Sequence, residues 1–507
     1  MSRQDVPADP YRDAAVPLLT DLYELTMAYG YWFHGRQEDE GAFHVTFRKH
    51  PFGGGYTVGA GCAAVIDLLQ RFHFDRAQLN YLAGLRRRDG QPMFSRAFLD
   101  HLGDMRLACD IDVVPEGTVV FPHEPLVRVV GPLLQAQVLE SALLNMVNFS
   151  TLIATKAARV CRAAEGDPVL EFGLRRSQGP DGALSAARAT YIGGCSATSN
   201  VLAGMRYGIP VKGTHAHSWV MSCDDELSAF RQYAAAMPED SVLLVDTYDS
   251  LAGVDRAITV ARELRADGHE LLGIRLDSGD LAWLSAQARE RLDAAGFPEV
   301  KIVASGDLDE YVIRSLKQQG APIDLWGVGT HLATAWDEPA LGGVYKLAAV
   351  RPAGGEWDYR LKLSEQRAKI SDPGLLQVRR FFSGDRADCD VIYDSRLGIE
   401  QRPVLIDPAD PSRMRRPAAD AVGEDLLVPV MRGGRIVYDP PELEQSRQTC
   451  QDQLASFYPG CLRLEHPHEY PVGLEHRLHR IRDELIESRR RPEGFVSSER
   501  NGPCATH

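Results

Sequence analysis

The stretch Glu171–Val220, EFGLRRSQGPDGALSAARATYIGGCSATSNVLAGMRYGIPVKGTHAHSWV, decides the fold. A short apolar run, Pro168–Phe172, ends at Arg175 and Arg176. A small-residue segment of helical character follows, about Leu184–Tyr207. A second apolar run, Ile209–Val211, opens into Gly213, Thr214, His215, Ala216, His217 and Ser218. The order is strand, helix, strand, with cations after the first strand and imidazoles after the second. Residues just past the C-termini of parallel strands line the active face of βα structures. Arginines beside a histidine point to an anionic, phosphorylated substrate and to proton or phosphoryl chemistry.

The rhythm continues downstream. Strands are expected at Val242–Val245, Leu271–Leu276, Val300–Ala304 and Ile323–Gly327, with helices between them ending near Ala295 and Gln319. Val245 and Ile274 are 29 positions apart, as are Ile274 and Val303, and 23 more reach Trp326. Repeats of that length predict a parallel sheet, closed or open. Right-handed crossovers put every strand-to-helix loop on one side. Those loops carry Arg175 and Arg176, Thr214 to His217, Asp246 and Thr247, Arg275 to Asp280, Ser305 to Asp307, and Gly327 to His331. Six polar, Gly-bearing endings in succession exceed what solubility requires, and they predict the active end of a TIM-like (β/α) barrel.

The flanks read differently. Helices are expected at Thr20–Phe33 and Ala60–Phe72, and strands at Ala42–Phe47, Ile111–Val114, Thr118–Phe121 and Leu126–Val130. A long helical pattern, Gln135–Ala164, leads into the barrel, and YKLAAV, VIYDS and PVLID follow it as further strands. The expected organisation is a flexible N-terminus (1–15), the first part of an α+β domain (16–140), the barrel (141–345), the second part of the α+β domain with its flank (346–490), and a disordered tail (491–507).

Composition narrows the function. The 507 residues predict two or three domains. A formal charge of −14 argues against a general nucleic-acid binder. No apolar run reaches the roughly 18 residues of a membrane helix. Met1–Pro10 is polar and acidic, so no secretory signal is expected. Nine dispersed cysteines without a C-x-x-C pair suggest reduced thiols in the cytoplasm.

Individual motifs differ in weight. Gly59-x-Gly61 follows a turn-rich HPFGGG rather than a buried strand and has no third glycine at the required spacing, so it is not a dinucleotide loop. LLVDTYDSLAG only loosely echoes the acidic loop of common phosphoribosyltransferases: Thr247 stands for the second acid, and Gly253 is single. Asp246 suits a helix N-cap and a ribose ligand equally. In IRLDSGDL, Arg275 can clamp a carboxylate or phosphate, Asp277 can accept from sugar hydroxyls, and Asp280 suits the N-terminus of the next helix. Gly306, Gly327, Gly329 and Thr330 can offer amides to a terminal phosphate, or simply make tight turns. His215 and His217 share a face in extended chain, but the loop lacks the carboxylate a metal site would need.

Taken together, LLTDLYELTMAYGY, FHVTFRKHPFGGGYTVGAG, EFGLRRSQGPDG, GTHAHSW, VDTYDS, RLDSGD, ASGDLDE and GVGTHL resemble the nicotinate phosphoribosyltransferase family over about residues 17–370. The resemblance implies transfer of phosphoribose from 5-phosphoribosyl 1-diphosphate to nicotinate, coupled to ATP hydrolysis, with Mg²⁺ accompanying the diphosphates, in NAD salvage. It implies an α/β fold in which a quinolinate-phosphoribosyltransferase-like α+β domain sits beside an irregular TIM-like barrel, and a homodimer with shared active sites. By resemblance, Tyr23 stacks on the pyridine from the partner subunit, Phe172 sandwiches the ring, and Arg175 binds base or diphosphate. Thr214 and Arg275 hold the nicotinate, His217 is phosphorylated by ATP, and Asp277 meets the ribose. Gly306, Gly329 and Thr330 cradle the 5′-phosphate. Nicotinamide-using relatives place an Asp directly after the Thr; His215 stands there in this chain, which favours nicotinate. A nicotinamide or quinolinate phosphoribosyltransferase, or a silent metabolite-binding relative, are the competing readings.

Overall fold

The computed structural model describes residues 16–366 and 370–490. The flexible N-terminus and disordered tail expected from the sequence lie outside these residues. Six short strands form one parallel sheet, in the spatial order Ala197–Thr198, Val169–Glu171, Leu325–Val328, Lys301–Ala304, Gly273–Leu276, Val242–Leu244. Their registers pair Leu170 with Ala197, Val169 with Trp326, Ala304 with Trp326, and Ile302 with Ile274. Helices Ser250–Ala266, Leu281–Ala294 and Glu310–Gln318 cover the outside. Val254, Ile258, Ala288, Ile302 and Ile313 pack between helices and sheet as one buried apolar cluster. The sheet curls in the TIM-like sense but stays open between the Ala197–Thr198 and Val242–Leu244 edges.

The segment that decides the fold departs from its reading at two points. Leu184–Tyr207 is not one helix. The chain forms a helix Gly179–Ile192, a strand Ala197–Thr198, and a helix Val201–Tyr207. Two glycines cause the break. A Cβ on Gly193 would lie 2.3 Å from the Ala154 carbonyl, so only glycine lets the two backbones approach. Gly194 turns the chain at φ 116°, a region that costs a side chain. Asn200 then caps the second helix, accepting from the Ala203 amide at 3.2 Å. The strand expected at Ile209–Val211 reduces to a single parallel bridge, Val211 to Thr198.

The Gln135–Ala164 pattern also divides, into Leu133–Gln137 and a long helix Glu140–Ala163. The long helix is buried on several sides. Its Thr151 and Thr155 hydroxyls accept from the Ala60 and Val58 amides, and Lys156 and Arg159 both pair with Glu310 on a barrel helix, at 2.6 and 2.8 Å.

The flanks supply two more large sheets. A seven-stranded sheet draws strands from both sides of the barrel: Asp358–Tyr359, Val344–Arg351, Glu40–Thr46, Val127–Pro132, Asp110–Val113, Val428–Arg432 and Arg435–Ile436, in that order. VIYDS and PVLID enter a separate six-stranded sheet built by the later flank alone, around the hairpin Leu376–Ser383 and Arg386–Asp394. A local turn at Gly384 and Asp385 joins that hairpin. Among the described residues, no helix is long and apolar enough to cross a membrane.

Buried polar groups join the two sheets. His44 Nε2 accepts from the Leu376 amide at 3.1 Å, and Arg128 Nη1 donates to the Leu376 carbonyl at 3.0 Å. Arg380 donates to Asp390 at 2.6 Å and to the Val119 carbonyl at 2.7 Å. Glu124, Arg380 and Asp390 are all fully buried. Arg380 bonds Asp390, while Glu124 Oε2 accepts from the Phe121 amide, at 2.8 Å. Burial, and then the Asp390 carboxylate, pushes the Glu124 pKa well above the ordinary carboxyl range.

A carboxyl whose pKa rises on folding gives stability that is complete below its unfolded value and is lost as pH climbs towards the folded value. Glu124→Gln is therefore expected to gain on the wild type as pH rises, by up to ~1.4 kcal/mol per pH unit. Urea unfolding of both proteins at about pH 5 and about pH 8 checks this; an equal difference at both pH values would show that the Glu124 pKa does not rise on folding.

Candidate functional site

Arg275 lies in the Gly273–Leu276 strand and gathers three neighbouring loops. Its Nε donates to Ser305 Oγ at 2.7 Å, Nη1 to Thr214 Oγ1 at 2.9 Å, and Nη2 to Asp277 Oδ1 at 2.5 Å. Its guanidinium carbon lies 5.5 Å from the centre of the Phe172 ring, within cation–π range. Ser305 also donates to Asp277 Oδ1. Burial raises the Asp277 pKa, but the Ser305 hydrogen bond and the Arg275 charge outweigh it and hold the carboxyl below its usual value. A guanidinium carries five N–H groups. Three are spent on these partners, which leaves Nη1 and Nη2 one each for an incoming anion.

His217 opens the short helix His217–Met221. Its Nε2 stands 3.8 Å from Asp277 Oδ2, its Nδ1 stands 3.2 Å from Thr247 Oγ1, and the ring is partly open to solvent. Asp246 does not cap a helix; Asp249 caps Ser250–Ala266, accepting from the Ala252 amide at 2.8 Å. Asp246 Oδ2 instead accepts from the Asp277 amide at 2.8 Å and the Ser278 hydroxyl at 2.9 Å. Its Oδ1 is buried with no hydrogen-bond partner among the described residues. Asp280 caps Leu281–Ala294, as its position in the sequence suggested.

The glycines divide by task. Gly306 adopts φ 111°, and a Cβ there would lie 2.5 Å from the Asp277 carbonyl. Gly327 does not offer its amide to a ligand pocket so much as make room: a Cβ would sit 2.6 Å from the Phe172 ring. Gly329 precedes the short helix Thr330–Ala333 and lies close to the Phe172 carbonyl. Glu171 steadies the same turn from beneath, accepting from the Gly173 amide and from Thr198 Oγ1 at 2.5 Å.

The structure thus gathers Phe172, Thr214, His217, Arg275, Asp277 and Gly306 around one point, with Gly329 and Thr330 on the loop packed against Phe172. Arg175 lies on the exposed turn beyond Phe172. Tyr23 is not brought to this group. It lines a separate cavity of about 560 Å³ with Ser141, Asn148 and Leu341. Burial, then the nearby Glu140 carboxylate, raises its phenol pKa. Sequence reasoning assigned no role to Ser305, although Ser305 directly follows a barrel strand and met the same criterion as its neighbours.

Three family models cover the chain: the nicotinate phosphoribosyltransferase N-terminal domain over residues 18–148, the nicotinate phosphoribosyltransferase family over 168–353, and the nicotinate phosphoribosyltransferase C-terminal domain over 377–482. The nicotinate phosphoribosyltransferase of Bacillus subtilis (strain 168) is 41% identical over 490 residues, covering 94% of this chain and 98% of the relative. The chain belongs to the nicotinate phosphoribosyltransferase family. The crystal structure of human nicotinic acid phosphoribosyltransferase superposes with a TM-score of 0.80 at 32% identity, covering 92% of this chain and 99% of the human one. The nicotinate-nucleotide pyrophosphorylase of Pyrococcus furiosus, at 23% identity, TM-score 0.68, and coverage of 89% and 97%, shares the fold. In this family member, the barrel mouth described above is the region where the motif-bearing loops converge.

Gly306→Ala tests how tightly that mouth is built. The new methyl would meet the Asp277 carbonyl in a backbone region hostile to side chains. A loss of about 1–3 kcal/mol in unfolding free energy is expected. A urea midpoint equal to that of the wild type would show that the Asp277 loop yields freely.

Proposed function

We propose that this chain transfers phosphoribose from 5-phosphoribosyl 1-diphosphate to nicotinate, giving nicotinate mononucleotide and diphosphate, with ATP hydrolysed to ADP and phosphate. The observation that carries this reading is the Arg275 cluster, which offers two free cationic N–H groups beside an aromatic ring and a Thr hydroxyl. A flat, anionic pyridine suits that surface. Phe172 stacks on the ring, and Arg275 with Thr214 binds its carboxylate. The acceptor nitrogen of His215 is already engaged by a backbone amide, so the position after Thr214 presents no acceptor for a carboxamide NH₂.

Asp277, held ionised, accepts from the ribose hydroxyls, and Gly306, Gly329 and Thr330 receive the 5′-phosphate. Arg175 receives the base or the diphosphate. The C1′–O bond to diphosphate breaks as the pyridine nitrogen bonds to C1′. Charge develops on ribose and leaving group together, so positioning and neutralisation supply much of the rate. His217 takes the γ-phosphoryl group of ATP: an N–P bond forms, the P–O bond to ADP breaks, and water later releases phosphate.

Mg²⁺ fits this site in one specific way. Among the described residues, no three His, Cys, Asp or Glu side chains form a metal cage. Asp246 Oδ1, buried and unpartnered, and Asp277 are hard oxygen donors, and Mg²⁺ is commonly held by one or two carboxylates plus substrate phosphates. When bound, it would neutralise the leaving diphosphate. A cytoplasmic enzyme accords with the free cysteines of the described chain.

Diphosphate release from 5-phosphoribosyl 1-diphosphate, assayed with nicotinate, nicotinamide and quinolinate, with and without ATP, tests the reading. Nicotinate with ATP is expected to be fastest; equal turnover of nicotinamide would overturn the assignment of the pocket. His217→Ala is expected to abolish ATP stimulation while leaving slow ATP-independent transfer. Full ATP-coupled turnover in that variant would remove His217 from the phosphoryl step.

The site is proposed to be completed in a homodimer, with Tyr23 reaching into the partner's barrel. Leu19, Leu22, Tyr23 and Met27 form an exposed apolar group around the first helix, Leu22–Phe33, which suits a subunit interface. Mixing Tyr23→Ala chains with Arg275→Ala chains, each inactive alone, should restore activity approaching half the wild-type value per hybrid dimer. No recovery, with subunit exchange confirmed, would place Tyr23 and Arg275 in the same subunit's pocket.

A further inference from the structure

The barrel sheet has a gap, and a side chain spans it. On one side the Ala197–Thr198 strand holds Val211 by an isolated bridge, flanked by Thr198 N–H to the Pro210 carbonyl at 3.0 Å and Lys212 N–H to the Thr198 carbonyl at 3.1 Å. On the other side the Val242–Leu244 strand pairs only with Gly273–Leu276. Alternate amides of a strand in a parallel sheet point to opposite neighbours. The Val245 amide donates inwards, to the Arg275 carbonyl at 3.1 Å. The Leu244 amide therefore faces the open edge, where a further strand would have offered a carbonyl.

His215 Nε2 takes that place. The Leu244 N–H donates to it at 3.1 Å. The accepting nitrogen requires the tautomer with its proton on Nδ1, and Nδ1 lies 3.4 Å from the Ala216 carbonyl. The ring is 7% exposed and meets Tyr233 edge-on at 4.8 Å between centroids, with Phe230 at 6.1 Å. Burial lowers its pKa to about 4, so the ring stays neutral and able to accept across the neutral range.

The loop hung on this bond carries the chemistry. Thr214, one residue before, meets Arg275, and His217, two residues after, meets Asp277 and Thr247. Between Lys212 and Ala216 the chain has no regular structure of its own. We propose that His215 is a positioning residue: by accepting the Leu244 amide it stands in for the missing strand, pins the Gly213–His217 loop to the barrel edge, and sets where Thr214 and His217 stand. This rests on the reading of Thr214 and His217 as substrate-handling groups. It also assigns His215 a part outside phosphoryl transfer, since its accepting nitrogen is already used.

Two substitutions of similar size separate pinning from mere filling. His215→Gln can place an amide oxygen near the position of Nε2; His215→Leu fills the space but accepts nothing. In His215→Leu, kcat/KM for nicotinate and the rate of His217 labelling by γ-labelled ATP should each fall roughly tenfold, as expected when a buried donor loses its partner. His215→Gln should stay within roughly threefold of the wild type. Hydrogen–deuterium exchange at the Leu244 amide, read by mass spectrometry with residue-level fragmentation, should quicken in the Leu variant and not in the Gln variant. If His215→Leu does not fold, His215→Ala takes its place. Leu and Gln variants that match each other in exchange and kinetics would overturn the proposal, as would wild-type kinetics in the Leu variant. A wild-type enzyme that turns over no pyridine would instead defeat the functional reading. The exchange measurement would still decide whether His215 pins the loop.

Discussion

The site depends on one constraint: a guanidinium at the end of a barrel strand must keep its hydrogen bonds. Arg275 is mostly shielded, and its ordered partners come from different loops. A charge removed from water without partners costs several kcal/mol, roughly, even after relaxation. The loops that carry Thr214, Asp277 and Ser305 are therefore held together by one guanidinium, the group proposed above to meet the substrate carboxylate. The Ser305 hydrogen bond and the Arg275 charge outweigh burial and hold the Asp277 pKa below its usual value, and His217 Nε2 stands 3.8 Å from that carboxylate. These bonds run between the chain's own side chains and fix their mutual positions, which is what catalysis by positioning requires.

A second buried charge group sets the frame behind it. Lys156, Arg159 and Glu310 are all fully buried. Lys156 also reaches Asp337, and Arg159 reaches the Tyr311 hydroxyl and the Leu464 carbonyl. These bonds tie the long helix Glu140–Ala163 to a barrel helix and to the later flank. Such a network adds little net stability compared with apolar packing, but breaking it would strand a charge in the interior. Its consequence here is geometric. The long helix, the barrel helix Glu310–Gln318 and the chain at Leu464 are joined through these two cations.

Much of the barrel was legible in the chain. Apolar runs spaced 29 residues apart, each ending in polar residues, can bury both faces only as parallel strands under helices. The strands at Val242, Gly273, Lys301 and Leu325 lie where that spacing put them. The segment Leu184–Tyr207 was not legible in the same way. Its small residues suit a helix throughout, and what interrupts it is the close approach of Gly193 to the helix at Ala154, a contact 39 positions away. The strands of the later flank were legible, but not which sheet each joins, because period-2 segments declare themselves as strands and not their partners.

The candidate site divides along the same line. Sequence alone determined which residue types stand after each strand: an arginine, an acid, a histidine and glycines on successive loops, which is enough for chemical class and for family. It determined nothing about who meets whom. That Asp246 supports the Asp277 loop while Asp249 caps a helix, that Gly327 clears space for Phe172, that His215 answers a lone backbone amide, and that Tyr23 lies in a cavity apart were all decided by tertiary structure. The physical reason is that a strand-to-helix loop inherits its position from the sheet. The direction of its side chains, by contrast, is settled by buried hydrogen bonds to partners roughly 30–60 residues distant, which local pattern cannot register.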